Sequence, residues 1–511
     1  MTRTAVTIGP RPLAWADLRA ALRGPVSATL DAQARTAIAR GAQAVSDLLA
    51  QGAPIYGVNT GFGKLASQRI APEELSHLQR NLVRSHASGT DEPLPAGDTR
   101  LAMLLKIKSL TAGHSGVRPE LVEALIALLH ADILPVIPRQ GSVGASGDLA
   151  PLAHLSLVII GEGEALHEGV RISGAQALER AGVRPVELAP KEGLALLNGT
   201  QVSTALALSG LAEAERAMRA GLVAGAMSVD AIMGSDTPFD PRLHELRPHA
   251  GQKLVAAELR RLIAGSGIRA SHLECDRVQD PYSFRCQPQV LGAARDLLVQ
   301  SGRTLLTEAN AVTDNPLVFP EDGDVLSGGN FHAEPVAFAS DIVALAVSET
   351  GALAERRVAA LIDPGISYLP AFLTSDAGLN SGYMIPQVTA AALAAENKHL
   401  AHPASIDSLP TSANQEDHVS MATHAGWRLK QLNANVRRIV AIELMAAAEG
   451  IEFRRPLRSS APVEEAHALI RAEIPKREAD RAFGAEIETV AGLIADGAFD
   501  GLVGDLVADA F

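Results

Sequence analysis

Gly141-Ser142-Val143-Gly144-Ala145-Ser146-Gly147-Asp148-Leu149-Ala150-Pro151-Leu152-Ala153-His154-Leu155 is the stretch around which the rest of the chain is organised. Small residues fill its first half, and a helical apolar pattern takes over in the second. Glycines at 141, 144 and 147 open backbone conformations closed to other residues. Asp148 stands where a helix N-cap would stand, with Leu152, Leu155 and Ile159 continuing the apolar stripe. Ala145-Ser146-Gly147 is therefore expected at the positive end of a helix, where developing negative charge is favoured. Taken alone, the stretch also reads as an ordinary glycine-rich loop before a buried helix.

The pattern excludes two other chemistries. Ser146 in a glycine-rich loop invites comparison with a hydrolase nucleophile, but Gly-x-Ser-x-Gly fails because Gly147 follows Ser146 directly. Gly57-Val58-Asn59-Thr60-Gly61-Phe62-Gly63-Lys64 looks superficially like a phosphate-binding loop. Gly57 and Gly63 are one residue too far apart, and Leu65 stands where Ser or Thr is required.

The 511 residues can bury a large core; 47% are apolar but only 3% aromatic, so alanine, leucine and valine must build most of the interior. That bias favours helices. A net charge of −13 argues against a nucleic-acid partner. Residues 121–137 come nearest to a membrane span, but Glu123, His130 and Asp132 interrupt them. Met1–Pro12 lacks a basic segment followed by an apolar core, and the two cysteines, Cys275 and Cys286, suit a reducing cytoplasm. The expectation is a cytoplasmic protein with no membrane or nucleic-acid partner.

Along the chain, residues 1–25 read as an irregular entry with one short helix around Trp15–Leu22. Asp31–Gln51 reads as a helix, and Pro72 opens another in which Leu75, Leu78, Leu82 and His86 share one face. Asp98–Leu110 and Pro119–His130 are further helices, and Gly161–Pro190 is polar and broken, with room for a hairpin. Beyond Asn198, Thr200–Met233, Gln287–Val312, Glu334–Leu361 and Glu416–Glu449 read as helices of more than twenty residues, the pattern of a bundle. Ser203, Ala207, Gly210, Ala214, Ala217 and Gly221 give the first of these a thin face for close packing. Pro456–Phe511 reads as shorter helices. The fold class expected is mainly α: a loop-rich head, 1–197, carrying the Ala145-Ser146-Gly147 loop, and a long-helix body, 198–511.

The 141–155 stretch closely resembles the signature of the histidine/phenylalanine ammonia-lyase family. In that family the Ala-Ser-Gly backbone cyclises and loses two waters, forming a 4-methylideneimidazole-5-one (MIO) electrophile. The resemblance implies that Ala145, Ser146 and Gly147 form this cofactor. It runs from about Tyr56 to Met421 and meets further motifs in the family's chain order. Tyr56-Gly57-Val58-Asn59-Thr60-Gly61-Phe62-Gly63 is similar to the family's tyrosine loop, which makes Tyr56 the base for the β-proton; on composition alone it reads as a packing tyrosine. Leu197-Asn198-Gly199-Thr200-Gln201 would make Asn198 the residue that holds the electrophile's oxygen, where the plain reading is an N-cap. Val278-Gln279-Asp280-Pro281-Tyr282-Ser283-Phe284-Arg285 would supply Arg285 as a two-pronged clamp for the substrate carboxylate, with Gln279 and Tyr282 lining the site; otherwise Arg285 is a surface charge.

Ser327-Gly328-Gly329-Asn330-Phe331-His332 and Asn414-Gln415-Glu416-Asp417-His418 complete the set, with Phe331 against the substrate. Glu416 would face the substrate ring, or else belong to an acidic first turn of the following helix. His332, His418 and Glu416 lack the spacing of a metal site. Ser85-His86 stands where the family reads the substrate ring. Histidine-specific members carry Ser-His there, so the resemblance implies elimination of ammonia from L-histidine to give trans-urocanate. Without it, His86 is a core histidine. The family also implies a homotetramer whose sites draw on three subunits. Arg84, Pro386 and Trp427 depart from its usual pattern, Arg84 nearest the specificity pair.

Overall fold

The computed structural model describes residues 3–52, 55–65, 67–273 and 277–507. Cys275, on which part of the redox expectation rests, lies outside them. The fold is mainly α, and the chain forms two compact units, each drawn from three stretches. The first holds residues 1–209, 303–340 and 403–427; the second holds 210–302, 341–402 and 428–511. They do not coincide with the consecutive segments 1–197 and 198–511. The boundaries at 209/210, 302/303, 340/341 and 427/428 fall inside the four long helices, which a linear division of the sequence does not anticipate.

Those helices span Gln201–Ala231, Gln287–Ala309, Glu334–Leu361 and Ala422–Glu452. The last begins six residues after Glu416, so Glu416 is a loop residue and no part of an acidic first turn. Glu334–Leu361 is long and apolar enough to cross a membrane, although it contains Asp341 and Glu349, and 67% of its apolar window is buried. Pro386 falls in the first turn of Met384–Leu400, where a missing N–H leaves no helical bond unmade. In the second unit, the small-residue face of the Gln201–Ala231 helix allows close approach: a Cβ on Gly210 would lie 2.4 Å from the Leu429 side chain. Arg357 and Glu443 form an ion pair there that is wholly buried, a cost met only by paired charges.

The first unit is the more irregular. Thr4–Ile8 pairs in parallel with Val26–Leu30, on either side of the Trp15–Arg23 helix. The sequence reading contains neither strand: Thr4–Ile8 does not alternate strictly, whereas Val26–Leu30 does alternate apolar and polar residues at the strand period. The hairpin expected in 161–190 is present, Glu164–His167 against Val170–Ser173, with Leu134–Pro135 as a third strand. Asp31 caps the Ala32–Ala50 helix by accepting from the Gln33 N–H. Three helices hold the centre of this unit: Leu75–His86, Leu149–Ile159 and Glu192–Leu197. Beside them runs Ala96–Leu110, buried from Asp98 onward. Burying charged Lys106 and Lys108 within that helix requires partners, and both find backbone carbonyls.

Candidate active site

The 141–148 loop is held by its backbone and by one carboxylate. Gly144 and Gly147 adopt φ of +65° and +74°, and a Cβ on Gly147 would lie 2.3 Å from the Gly199 carbonyl oxygen. Only glycine fits there. The close approach forms a parallel bridge between Gly147 and Gly199, and the Asp148 N–H donates to the Gly199 carbonyl at 2.8 Å. On the other side, the Met421 N–H donates to the Val143 carbonyl, and the Ser420 hydroxyl to that of Gly144.

Asp148 occupies the N-cap position of Leu149–Ile159, as expected, but its side chain does not cap that helix. It is fully buried and turns the other way. It accepts from the Ser142 and Thr423 hydroxyls at 3.0 and 2.8 Å, and from the Ser203 N–H and hydroxyl at 2.8 and 3.0 Å. Burial pushes its carboxyl above the ordinary range, against the pull of these bonds. One carboxylate thus ties the loop to the starts of two long helices.

Ser146 meets two of the expected partners. Its hydroxyl donates to Glu416 Oε1 at 2.6 Å, and its carbonyl accepts from Asn198 Nδ2 at 2.9 Å. Glu416 Oε2 accepts from the Thr411 hydroxyl at 2.6 Å, so both carboxylate oxygens are engaged. Asn198 Oδ1 is buried with no hydrogen-bond partner among the described residues. Thr411 and Glu416 pair across a turn in which Ser412, Ala413 and Asn414 all have φ between 51° and 61°. Three consecutive non-glycine residues in that region store strain, a recurrent feature of functional loops.

A cavity of about 1150 Å³ opens over this group. Its lining includes Tyr56, His86, Ala145, Ser146, Asn198, Phe331 and Glu416, which are seven of the eleven expected site residues. Gly147 lies in the loop beneath. The Tyr56 hydroxyl accepts from the Gly63 N–H at 3.1 Å, and its ring meets Phe62 edge-on. Leu78 and Leu82 join His86 on the lining, so the predicted apolar face of the Leu75–His86 helix is a wall of the cavity. His86 Nδ1 lies 2.9 Å from the Leu82 carbonyl, which can only accept, so Nδ1 carries the hydrogen and Nε2 keeps its lone pair. Burial lowers the His86 pKa, against the Leu82 bond and the charge of Glu416, so the ring is neutral at neutral pH.

Gln279, Tyr282 and Arg285 are not among the lining residues. They belong to the second unit, where Tyr282–Arg285 forms a single helical turn. Gln279 is exposed, Tyr282 is 74% exposed, and Arg285 is half-buried, 5.9 Å from the centre of the Tyr282 ring. Arg84 does not reach the cavity: it forms a forked pair with Glu162, its shortest contact 2.6 Å. Trp427 lies under the Arg139 guanidinium, 5.2 Å from the ring centre. His332 stacks on His418 with 5.7 Å between ring centres, and no grouping of three or more metal-type ligands occurs among the described residues.

Sequence reasoning missed Lys106, Thr411 and the tethering role of Asp148. Lys106 and Asp148 were readable only as polar residues in apolar surroundings, which says that a partner exists but not which one.

Comparison with known proteins converges on one group. The family described as aromatic amino acid lyase matches residues 13–472. Histidine ammonia-lyase of Burkholderia lata is 56% identical over 494 residues, covering 97% of each chain. The crystal structure of histidine ammonia-lyase from Trypanosoma cruzi superposes with a TM-score of 0.91 at 40% identity, over 99% of this chain and 96% of that one. Tyrosine aminomutase from Streptomyces globisporus gives a TM-score of 0.92 at 34% identity, over 98% of both.

Proposed function

Because the chain belongs to the aromatic amino acid lyase family, we propose that it eliminates ammonia from L-histidine to give trans-urocanate. The observation that carries the proposal is the placement of Ser146 between Glu416 and Asn198, on the wall of a cavity shared with Tyr56 and His86.

The residues present fit the MIO group. Ala145-Ser146-Gly147 has glycine where only glycine fits, a serine whose hydroxyl is held by a carboxylate, and a serine carbonyl already gripped by the Asn198 amide. Once formed, the group supplies an electrophile that turns the substrate's amino group into a better leaving group. Asn198 Nδ2 then serves as an oxyanion-type donor, a role that acts strongly in a site shielded from water.

Glu416 has two successive tasks in this reading. In the unprocessed chain it holds the Ser146 hydroxyl. Loss of that hydroxyl frees Oε1 to face the substrate ring, while Thr411 keeps the carboxylate in place through Oε2. His86, a residue of the cavity wall whose Nε2 is left free by the Nδ1 contact with Leu82, accepts from an imidazole N–H, a bond that phenylalanine cannot make. Tyr56 removes the β-proton, its oxygen fixed by the Gly63 N–H. Phe331 packs against the substrate, and Arg285, with Gln279 and Tyr282, binds the carboxylate end in a homotetramer whose sites are completed by other subunits.

Intact mass and ultraviolet assay test this together. The active protein should be lighter than its translated sequence by two waters and should form urocanate from L-histidine. Ser146→Ala should keep its full mass and lose at least about 10³-fold in kcat, the scale on which removing a reacting group acts. Active protein of full mass overturns the cofactor assignment. Faster turnover of L-phenylalanine or L-tyrosine overturns the substrate assignment.

A further inference from the structure

Asn198 reaches Ser146 from a short link. The Glu192–Leu197 helix ends with Asn198 as its C-cap, and the next helix starts at Gln201. A link of that kind leaves the last carbonyls of the first helix without helical donors. One side chain serves two carbonyls of this stretch. Lys106 projects from the Ala96–Leu110 helix and donates from Nζ to the Ala195 carbonyl at 2.9 Å and to the Asn198 carbonyl at 2.7 Å.

Packing alone does not call for a lysine here. The residue is 1% exposed, and burial of an ammonium is costly where an apolar residue of similar length would fill the same space. The shorter of its two bonds goes to the residue whose amide holds the Ser146 carbonyl. We infer that Lys106 is a positioning residue, fixing the backbone from which the Asn198 amide reaches Ser146. The inference rests on the role given to Asn198 above.

The charges around Lys106 leave this clamp intact in either protonation state. Burial pushes its pKa down to about 7; Asp314 and Asp148 oppose the shift, and Lys191 adds to it. Lys191 and Asp314 are themselves a buried pair at 2.6 Å. An ammonium has three N–H donors and a neutral amine two, and two carbonyls are served. The positioning therefore persists on both sides of neutrality.

The test compares Lys106→Met, Lys106→Gln, Asn198→Ala and the Lys106→Met/Asn198→Ala double variant. With L-histidine, Lys106→Met should lower kcat about tenfold to a hundredfold, the effect of misplacing a catalytic group by about an ångström. KM should move less than about threefold, because ground-state binding is untouched. Lys106→Gln, which keeps two N–H donors, should recover part of the loss. The double variant should be within about twofold of Asn198→Ala, since Lys106 acts through Asn198. Losses that multiply in the double variant overturn the inference.

A crystal structure of Lys106→Met should show the Asn198 amide more than about 3.5 Å from the Ser146 carbonyl. Retention of the bond at its present length overturns the inference. If Lys106→Met does not fold, the structure of Lys106→Gln decides in the same way, with the bond expected to lengthen by less. Failure of the wild type to turn over L-histidine would count against the proposed substrate, while the crystal structures would still decide the positioning role.

Discussion

Around Ser146 the chain supplies partners densely: Glu416 on its hydroxyl, Asn198 on its carbonyl, and Asp148 tethering the loop to two helix starts. Around Arg285 the described residues supply few. Tyr282 stands 74% exposed, Gln279 is exposed, and the guanidinium has the Tyr282 ring nearby. In the proposed reaction the two regions would serve its two ends, and the contrast follows from what each would have to do. A backbone that cyclises has to be compressed and oriented by its own chain before any substrate arrives, because preorganisation lowers the barrier only when it precedes the step. A carboxylate clamp needs nothing until substrate binds. It is free to face outward toward whatever completes the site.

Arg285→Ala breaks that contrast most directly. The loop should process normally, so the intact mass should still fall short by two waters. Loss of a charge-assisted, two-pronged contact should raise KM for L-histidine about tenfold to a hundredfold, from the roughly 1.5–3 kcal/mol such bonds contribute. A variant of full, unprocessed mass would show that Arg285 serves the loop, and the division between the two regions would fall.

His86→Leu sharpens the contrast from the inner side. The His86 imidazole belongs to the wall of the cavity yet contributes nothing to the loop's own bonds. Removing Nε2 leaves a substrate N–H without its acceptor. The expected outcome is a fall of about tenfold in kcat/KM for L-histidine, with a gain relative to L-phenylalanine, and an unchanged mass deficit. The state of the ring is open to measurement as well. Burial holds its pKa below the ordinary histidine value, so nitrogen NMR should find the ring mostly neutral at pH 6.5. A ring mostly protonated there would remove the acceptor on which this reading of substrate choice depends.

The sequence makes the inner region far more legible than its supports. Ala145-Ser146-Gly147, Tyr56 and Asn198 stand in short contiguous motifs, and spacing alone makes Leu75, Leu78, Leu82 and His86 one face. Lys106 and Asp148 escape because their partners lie 92 and 55 residues away, at Asn198 and Ser203. A helical period cannot encode a contact of that range. Glu416 is visible as a motif residue, but its setting is not. The acidic run Glu416-Asp417 resembles a helix start, whereas the strained turn over 412–414 holds Glu416 outside the helix that begins at Ala422. The same reasoning explains the unit boundaries. Four of the five fall within continuous helices, where composition and period do not change; the fifth, at 402/403, follows the end of the Met384–Leu400 helix.

Arg84 gives the smallest expected effect and the cleanest check on where the cavity wall ends. By sequence it adjoins Ser85-His86 and looks able to alter substrate choice. Along the helix, Arg84 is two residues before His86, which turns its side chain well away from the His86 face. Its guanidinium grips Glu162 at the surface, where water and salt screen the pair. Arg84→Leu should therefore leave kcat/KM for L-histidine within about twofold of wild type, as for other exposed substitutions away from a site. The ratio of L-histidine to L-phenylalanine turnover should also hold. A shift in that ratio comparable to His86→Leu would mean that the wall extends beyond the face marked by Leu78, Leu82 and His86. Substrate choice would then be set by the whole last turn of the helix, with His86 only one part of it.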